Sequence, residues 1–131
     1  MKKDFTKYEQ AYALKELGFD EPCIKEYHLK KLLPNSTGFE ISNSSLYQLF
    51  GDSKVIAAPT YSQAFRFFRE KYELHSYIYS DYSWNISGGI WDLNGYKDLR
   101  YDWDSEPYAT YEEAESVCLD KLIEIVKNKQ D

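Results

Sequence analysis

The sequence predicts an α+β protein in which three helices pack on an antiparallel sheet, in the order α-ββ-α-ββ(β)-α. A four-residue phrase, Tyr, any residue, Gln or Glu, Ala, stands at 8–11, 61–64 and 111–114, each time before an amphipathic stretch. The stretches between these phrases are rich in aromatic and β-branched residues and are broken by turn residues, as antiparallel strands are. Helices that alternate with hairpins are typical of an α+β layer, here two αββ units and a closing helix.

The phrases predict where the helices begin. In the second and third phrases a Thr precedes the Tyr, and a Gln or Glu follows that Thr three residues later, which is the spacing of a capping box. These pairs are Thr60 with Gln63 and Thr110 with Glu113. Near the first phrase, Thr6 and Glu9 have the same spacing one position earlier, which predicts a shifted box. We expect helices over about 7–17, 61–72 and 111–127, the first ended by Gly18.

Two groups of strands are expected between the helices. The first is a hairpin of residues 23–33 and 39–41 that turns at 34–38, followed by a short helical turn at 46–50. The second is a hairpin or three-strand meander that begins with a strand over 74–82. In this second group Gly88-Gly89 predicts a bulge, and Asn94-Gly95 predicts a two-residue turn because both residues tolerate positive φ.

Length and composition predict a single domain over residues 1–131. The chain is 43% hydrophobic and 18% aromatic, enough apolar content for one core. Cys23 and Cys118 lack the spacing of a redox or metal motif, and neither a secretory signal nor a long apolar run is present. We therefore expect reduced thiols, no membrane association and a cytoplasmic location.

The charge is unevenly distributed along the chain. The whole sequence has a net charge of −6, whereas residues 75–116 contain nine acidic and two basic side chains, a net −7. A local negative field opposes binding to nucleic acid backbones and favours a basic protein partner.

No motif indicates catalysis or a cofactor. Nucleotide-binding glycine patterns and the nucleophile-elbow pattern are absent from the sequence, and its two Cys and two His lack the paired short spacing of zinc sites. Asp102, Asp104 and Glu106 would share one face of a strand, but the EF-hand pattern is absent. We predict no catalytic residue, metal or cofactor. The alternative is an enzyme or small-molecule-binding protein whose pocket uses Cys23, His28 and His75.

The candidate binding surface is the aromatic and acidic part of the second strand group. Tyr and Trp are enriched at protein contacts because they bury large areas at little entropic cost. The candidate residues are Tyr79, Trp84, Trp91, Tyr96, Asp98, Tyr101, Asp102, Trp103, Asp104 and Glu106. We expect a non-enzymatic interaction module that binds a basic partner surface, one version being a DNA mimic. A self-associating structural protein is a further alternative.

The helix phrases also carry a resemblance to known proteins. Residues 8–23, 58–72 and 110–115 with 122–127 resemble a family of short uncharacterised proteins encoded in Bacteroidetes genomes and their phages. The resemblance covers the three helices but not residues 24–54 or 75–108. It implies an accessory protein of phage or mobile-element type, and it implies no activity and no functional residues.

Overall fold

The computed structural model describes residues 4–34, 40–51, 55–80, 86–92, 99–102 and 110–130. Within them lie four helices and six strands, which confirms the α+β class. The elements are α1 (Tyr8–Glu16), β1 (Lys25–His28), β2 (Lys31–Pro34), α2 (Asn43–Phe50), β3 (Val55–Ala58), α3 (Tyr61–Tyr72), β4 (Leu74–Ser80), β5 (Ile86–Asp92), β6 (Leu99–Asp102) and α4 (Tyr111–Gln130). Among these helices none is both long and apolar enough to span a bilayer.

Internal contacts divide the chain into two units, residues 1–64 and 65–131. The first contains an antiparallel sheet in the order β2-β1-β3, with α1 and α2 packed against β3. The second contains an antiparallel sheet in the order β4-β5-β6, with α4 packed against β4 and β5. The single domain over 1–131 stays a prediction.

The repeated phrase marks three helix starts, as predicted. At α3 the capping box is complete, because the Thr60 N–H donates to Gln63 Oε1 (3.0 Å) and the Gln63 N–H donates to Thr60 Oγ1 (3.2 Å). At α4 the Glu113 N–H donates to the Thr110 hydroxyl (3.1 Å). The Ala that ends each phrase has no exposed surface; these residues are Ala11, Ala64 and Ala114. The phrase therefore combines a helix cap with a small side chain that allows close packing.

The shifted box predicted from Thr6 and Glu9 is wrong. Gln10 Oε1 accepts the Lys7 N–H (2.9 Å), so the first helix starts in the same frame as the other two. The Thr6 hydroxyl and the Thr6 N–H donate instead to the Pro59 carbonyl, at 3.0 and 2.9 Å. Thr6 is thus bound to the segment after β3 and does not cap α1.

A hairpin is present here, but it is not the predicted one: β1 pairs with β2 within residues 25–34. Cys23 forms a bridge with Ile41, which joins the two predicted strands, and residues 35–38 of the predicted turn lie outside the described residues. The turn residues are Leu29 and Lys30, with φ of 50° and 68°, and His28 pairs with Lys31 across them. A two-residue hairpin turn of this type requires positive φ at both central residues and therefore favours Asn or Gly. A turn with Leu and Lys at these positions is not expected from the sequence. The third strand of this sheet, β3, begins at Val55 and pairs with β1. It was not predicted.

In the second sheet the bulge predicted at Gly88-Gly89 is wrong. Gly88 pairs regularly with Ile78 and Gly89 with Tyr77. Asn94-Gly95 lies outside the described residues. The strands on either side, β5 and β6, pair Asp92 with Leu99.

A buried amide connects α2 to its surroundings. The Asn43 side chain, 7% exposed, accepts the Ala57 N–H (2.9 Å) and donates to the Phe19 carbonyl (2.9 Å). Ala57 lies on β3, which is an edge strand, and Phe19 follows α1. One side chain therefore satisfies backbone groups of two different segments.

We expect Asn43→Ala to destabilise the protein by about 2–4 kcal/mol, because it leaves two buried backbone groups without their partner. Gln48→Ala, at an exposed site on the same helix, is the matched control. Urea denaturation followed by circular dichroism measures both changes. Equal stability of the two variants would contradict the role assigned to Asn43.

Candidate functional site

The structure describes part of the predicted binding surface. Tyr79 and Trp91 have described side chains, on β4 and β5. Tyr101 and Asp102 lie on β6, next to β5, where Ile90 pairs with Tyr101 and Gly89 with Asp102. The other predicted residues lie outside the described part of the chain: Trp84, Tyr96, Asp98, Trp103, Asp104 and Glu106.

The two faces of the second sheet have different environments. Ser76 on β4 hydrogen-bonds the buried Cys118 of α4, so the face that carries Ser76 packs against that helix. Side chains alternate between the faces of a strand, which places His75, Tyr77 and Tyr79 on the opposite face. The second sheet therefore has one face that packs against α4 and an opposite face that carries aromatic rings.

Four rings lie on this second face, which we call the aromatic face: His75, Tyr77, Tyr79 and Trp91. His75 and Trp91 are cross-strand partners whose rings stack at 4.8 Å between centroids and 30° between planes. The Tyr77 and Tyr79 rings stack at 5.9 Å and 25°. Tyr79 is 49% exposed and the other three are partly exposed. Such a row can bury large areas against a partner and can stack with planar cations.

Gly89 accounts for part of this geometry. It lies on β5 directly opposite Tyr77, with Trp91 two residues further along the strand. Because glycine has no side chain, the aromatic ring opposite it can lie over the neighbouring strand. The glycine pair that predicted a bulge is thus part of a regular ladder beside the aromatic face.

The aromatic face includes two residues that were not in the predicted surface. His75 was a candidate for the alternative pocket, and Tyr77 was not selected as a site residue. His75, Tyr77 and Tyr79 follow one another at two-residue intervals, and this spacing is a signal in the sequence that could have found both. Assigning them to the solvent side, however, requires the contact between β4 and α4.

The contacts of Cys23 do not favour a nucleophile. The side chain is 1% exposed, and its thiol donates to the Glu21 carbonyl (3.5 Å). Burial, together with the nearby carboxylates of Glu21 and Glu40, raises the thiol pKa to about 12. The thiol is protonated at neutral pH, whereas the thiolate is the reactive form.

The two histidines have separate structural contacts. His28 Nε2 contacts the carboxylate of Glu26, which is fully buried beside it on β1, and the His28 ring packs edge-on against Phe50. His75 stacks on Trp91 in the other unit. Glu26 was missed by the sequence analysis, since a charged residue in a short strand is expected to face solvent.

A shallow depression of about 310 Å³ lies beside α2 in the first unit. It is lined by Lys15, Gly18, Phe19, Asp20, Asn43, Ser44 and Tyr47. Asp20 accepts the Ser44 N–H (2.7 Å), and Asn43 is bound to Phe19 and Ala57. These side chains hold the start of α2 in place. The described residues contain no group of three or more His, Cys, Asp or Glu that could hold a metal ion.

No protein-family model, curated protein or solved structure matches this chain. The features that bear on function are therefore the aromatic face and the charge of the sequence around it.

The buried thiols predict an alkaline loss of stability. Burial raises the pKa of Cys23 and of Cys118 to about 12, against an ordinary value of 9.0. Above pH 9 the unfolded chain therefore releases protons that the folded chain retains, and the folded state loses stability as the pH rises towards 12. Each thiol should contribute a slope of about 1.4 kcal/mol per pH unit in that window.

Urea denaturation of the wild type and of Cys23→Ala at pH 8, 9.5 and 10.5 measures this slope. We expect the variant to lose stability less steeply by the contribution of one thiol, and Cys118→Ala should behave in the same way. Parallel pH profiles for the wild type and both variants would contradict the raised pKa values.

Proposed function

We propose that the chain is a non-enzymatic protein-interaction module that binds a basic surface of another protein through the aromatic face. The observation that carries the proposal is the row of four rings on one side of β4 and β5, opposite α4, with Tyr79 half exposed. Aromatic residues at the centre of an interface commonly contribute most of its binding energy.

The charge of the surrounding sequence supports a basic partner. Residues 75–116 have a net charge of −7, and most of these acids follow β4 in the chain. A negative field accelerates encounter with a positive surface and disfavours acidic partners. It also opposes binding to a nucleic acid backbone.

The proposal also includes the origin of the protein and its location in the cell. The resemblance of the helix phrases to short proteins of Bacteroidetes genomes and their phages supports an accessory role of phage or mobile-element type. Neither Cys23 nor Cys118 forms a disulfide and both are buried, which suits the reducing cytoplasm of a bacterial host. The enzyme alternative has less support, because Cys23 combines burial with a raised thiol pKa.

The test is affinity capture from host lysate with four baits, followed by titration of the purified partner. The baits are the wild type, the triple variant Asp98→Lys, Asp102→Lys, Asp104→Lys, the ring variant Tyr79→Ser, and the control Tyr12→Ser. Tyr12 is a matched control because it is 44% exposed on α1, in the other unit. We expect a basic partner whose Kd rises about 10- to 30-fold in Tyr79→Ser, the loss typical of a central aromatic contact.

The triple charge variant should bind more weakly still, and wild-type binding should weaken with added salt. Tyr12→Ser should bind like the wild type. The proposal fails if the captured partner is acidic, or if it binds the ring variant and the charge variant as tightly as the wild type while all four baits are folded.

A further inference from the structure

β4 is the edge strand beside the aromatic face. In the order β4-β5-β6 it has one neighbour among the described strands, with which it pairs over seven residues from Leu74 to Ser80. The outer side of an edge strand presents backbone N–H and C=O groups that can pair with another chain.

The other sheet edges in the described part of the chain carry protecting features. β2 contains Lys31 and Pro34, and the Ala57 N–H of β3 is bonded to the Asn43 side chain. β6 has four residues, two of them charged in the sequence. Lysine, proline, shortness and side-chain cover all prevent pairing with a further strand. β4 has the sequence Leu-His-Ser-Tyr-Ile-Tyr-Ser, with no Lys, Arg, Asp, Glu or Pro, and is the longest of the four edges.

The ring spacing matches the side-chain spacing of an added strand. His75, Tyr77 and Tyr79 stand two residues apart on β4 and face the same side. A strand added at this edge would lie about 4.8 Å away and would place every second side chain on the aromatic face. Cross-strand contacts would then form between its side chains and the rings.

Charge decides which segment fits this edge. Three of the nine acids of residues 75–116 lie on α4, on the other side of the sheet, and residues 81–109 between β4 and α4 have a net charge of −4. This charge attracts cationic side chains, and Arg or Lys over an aromatic ring is favoured. The chain already makes such contacts, since Lys71 Nζ lies 5.4 Å from the Phe67 ring centroid and 5.5 Å from that of Tyr72. A second copy of this chain would instead bring two acidic regions together.

We propose that the partner of this module binds as an extended segment with Arg or Lys at alternate positions. The segment pairs with the outer edge of β4 and places its cationic side chains over the aromatic face. This inference rests on the proposed function and adds to it the conformation and the side-chain pattern of the partner.

The probe is a fluorescein-labelled eight-residue peptide of alternating Arg and Thr, titrated with the full chain by fluorescence anisotropy. Two further peptides carry N-methyl groups on the backbone, one at all Arg positions and one at all Thr positions. Only one of these sets has N–H groups that face β4 in an added strand. We expect one methylated peptide to bind at least 20-fold more weakly and the other within about 3-fold of the parent. Tyr79→Ser should weaken the parent peptide about 10-fold and Tyr12→Ser should not.

The outcomes separate the two proposals. Equal effects of the two methylation patterns would overturn edge pairing. If the peptide does not bind while binding of a captured basic partner still depends on Tyr79, edge pairing is also overturned, but the proposed function stands. A dimer in light scattering that Tyr79→Ser dissociates would assign the edge to a second copy and overturn the inference. If neither peptide nor captured partner depends on Tyr79, both proposals fail.

Discussion

A single buried amide oxygen joins the starts of α1 and α3. Gln10 Oε1 accepts the Lys7 N–H (2.9 Å) and the Tyr61 hydroxyl (3.1 Å), while Thr6 donates to the Pro59 carbonyl. Buried polar groups are costly unless they are hydrogen-bonded, so these contacts hold the start of α1 beside the start of α3. β3 runs directly into Pro59, and its place in the first sheet depends on the same contacts. Asn43 then covers the outer side of that strand.

The features predicted correctly from the sequence are those with local causes. A capping box needs only two side chains and the backbone between them, and α3 accordingly has the predicted bounds. The missed features depend on tertiary contacts. Leu29 is 82% exposed in a left-handed conformation, so nothing about the residue itself indicates a turn; the pairing of β1 with β2 imposes it. The glycines of β5 were read as a bulge because a pattern cannot show that Tyr77 lies opposite.

The candidate site was predictable in part for the same reason. The aromatic content of residues 74–82 indicated a strand, and Tyr79 and Trp91 were selected because Tyr and Trp are enriched at protein contacts. Which side faces solvent depends on α4, whose Cys118 hydrogen-bonds Ser76 and thereby assigns the neighbouring residues of β4 to the opposite face. His75 had been considered as a reactive group of the alternative pocket, but its ring stacks on Trp91.

An uncharged edge strand of seven residues carries a risk of pairing with other copies, and the net charge of the chain bears on that risk. Residues 81–109 have a net charge of −4, so two copies that approach through β4 bring two acidic regions of the sequence together, whereas a cationic segment is attracted by the same charge. Charges beyond about 8 Å are largely screened at physiological ionic strength, so the effect is confined to acids near the edge. In the sequence, Asp81 directly follows the last residue of β4. The same acidic charge thus opposes self-pairing and favours a basic partner, which allows this edge to lack the lysine and proline that protect β2.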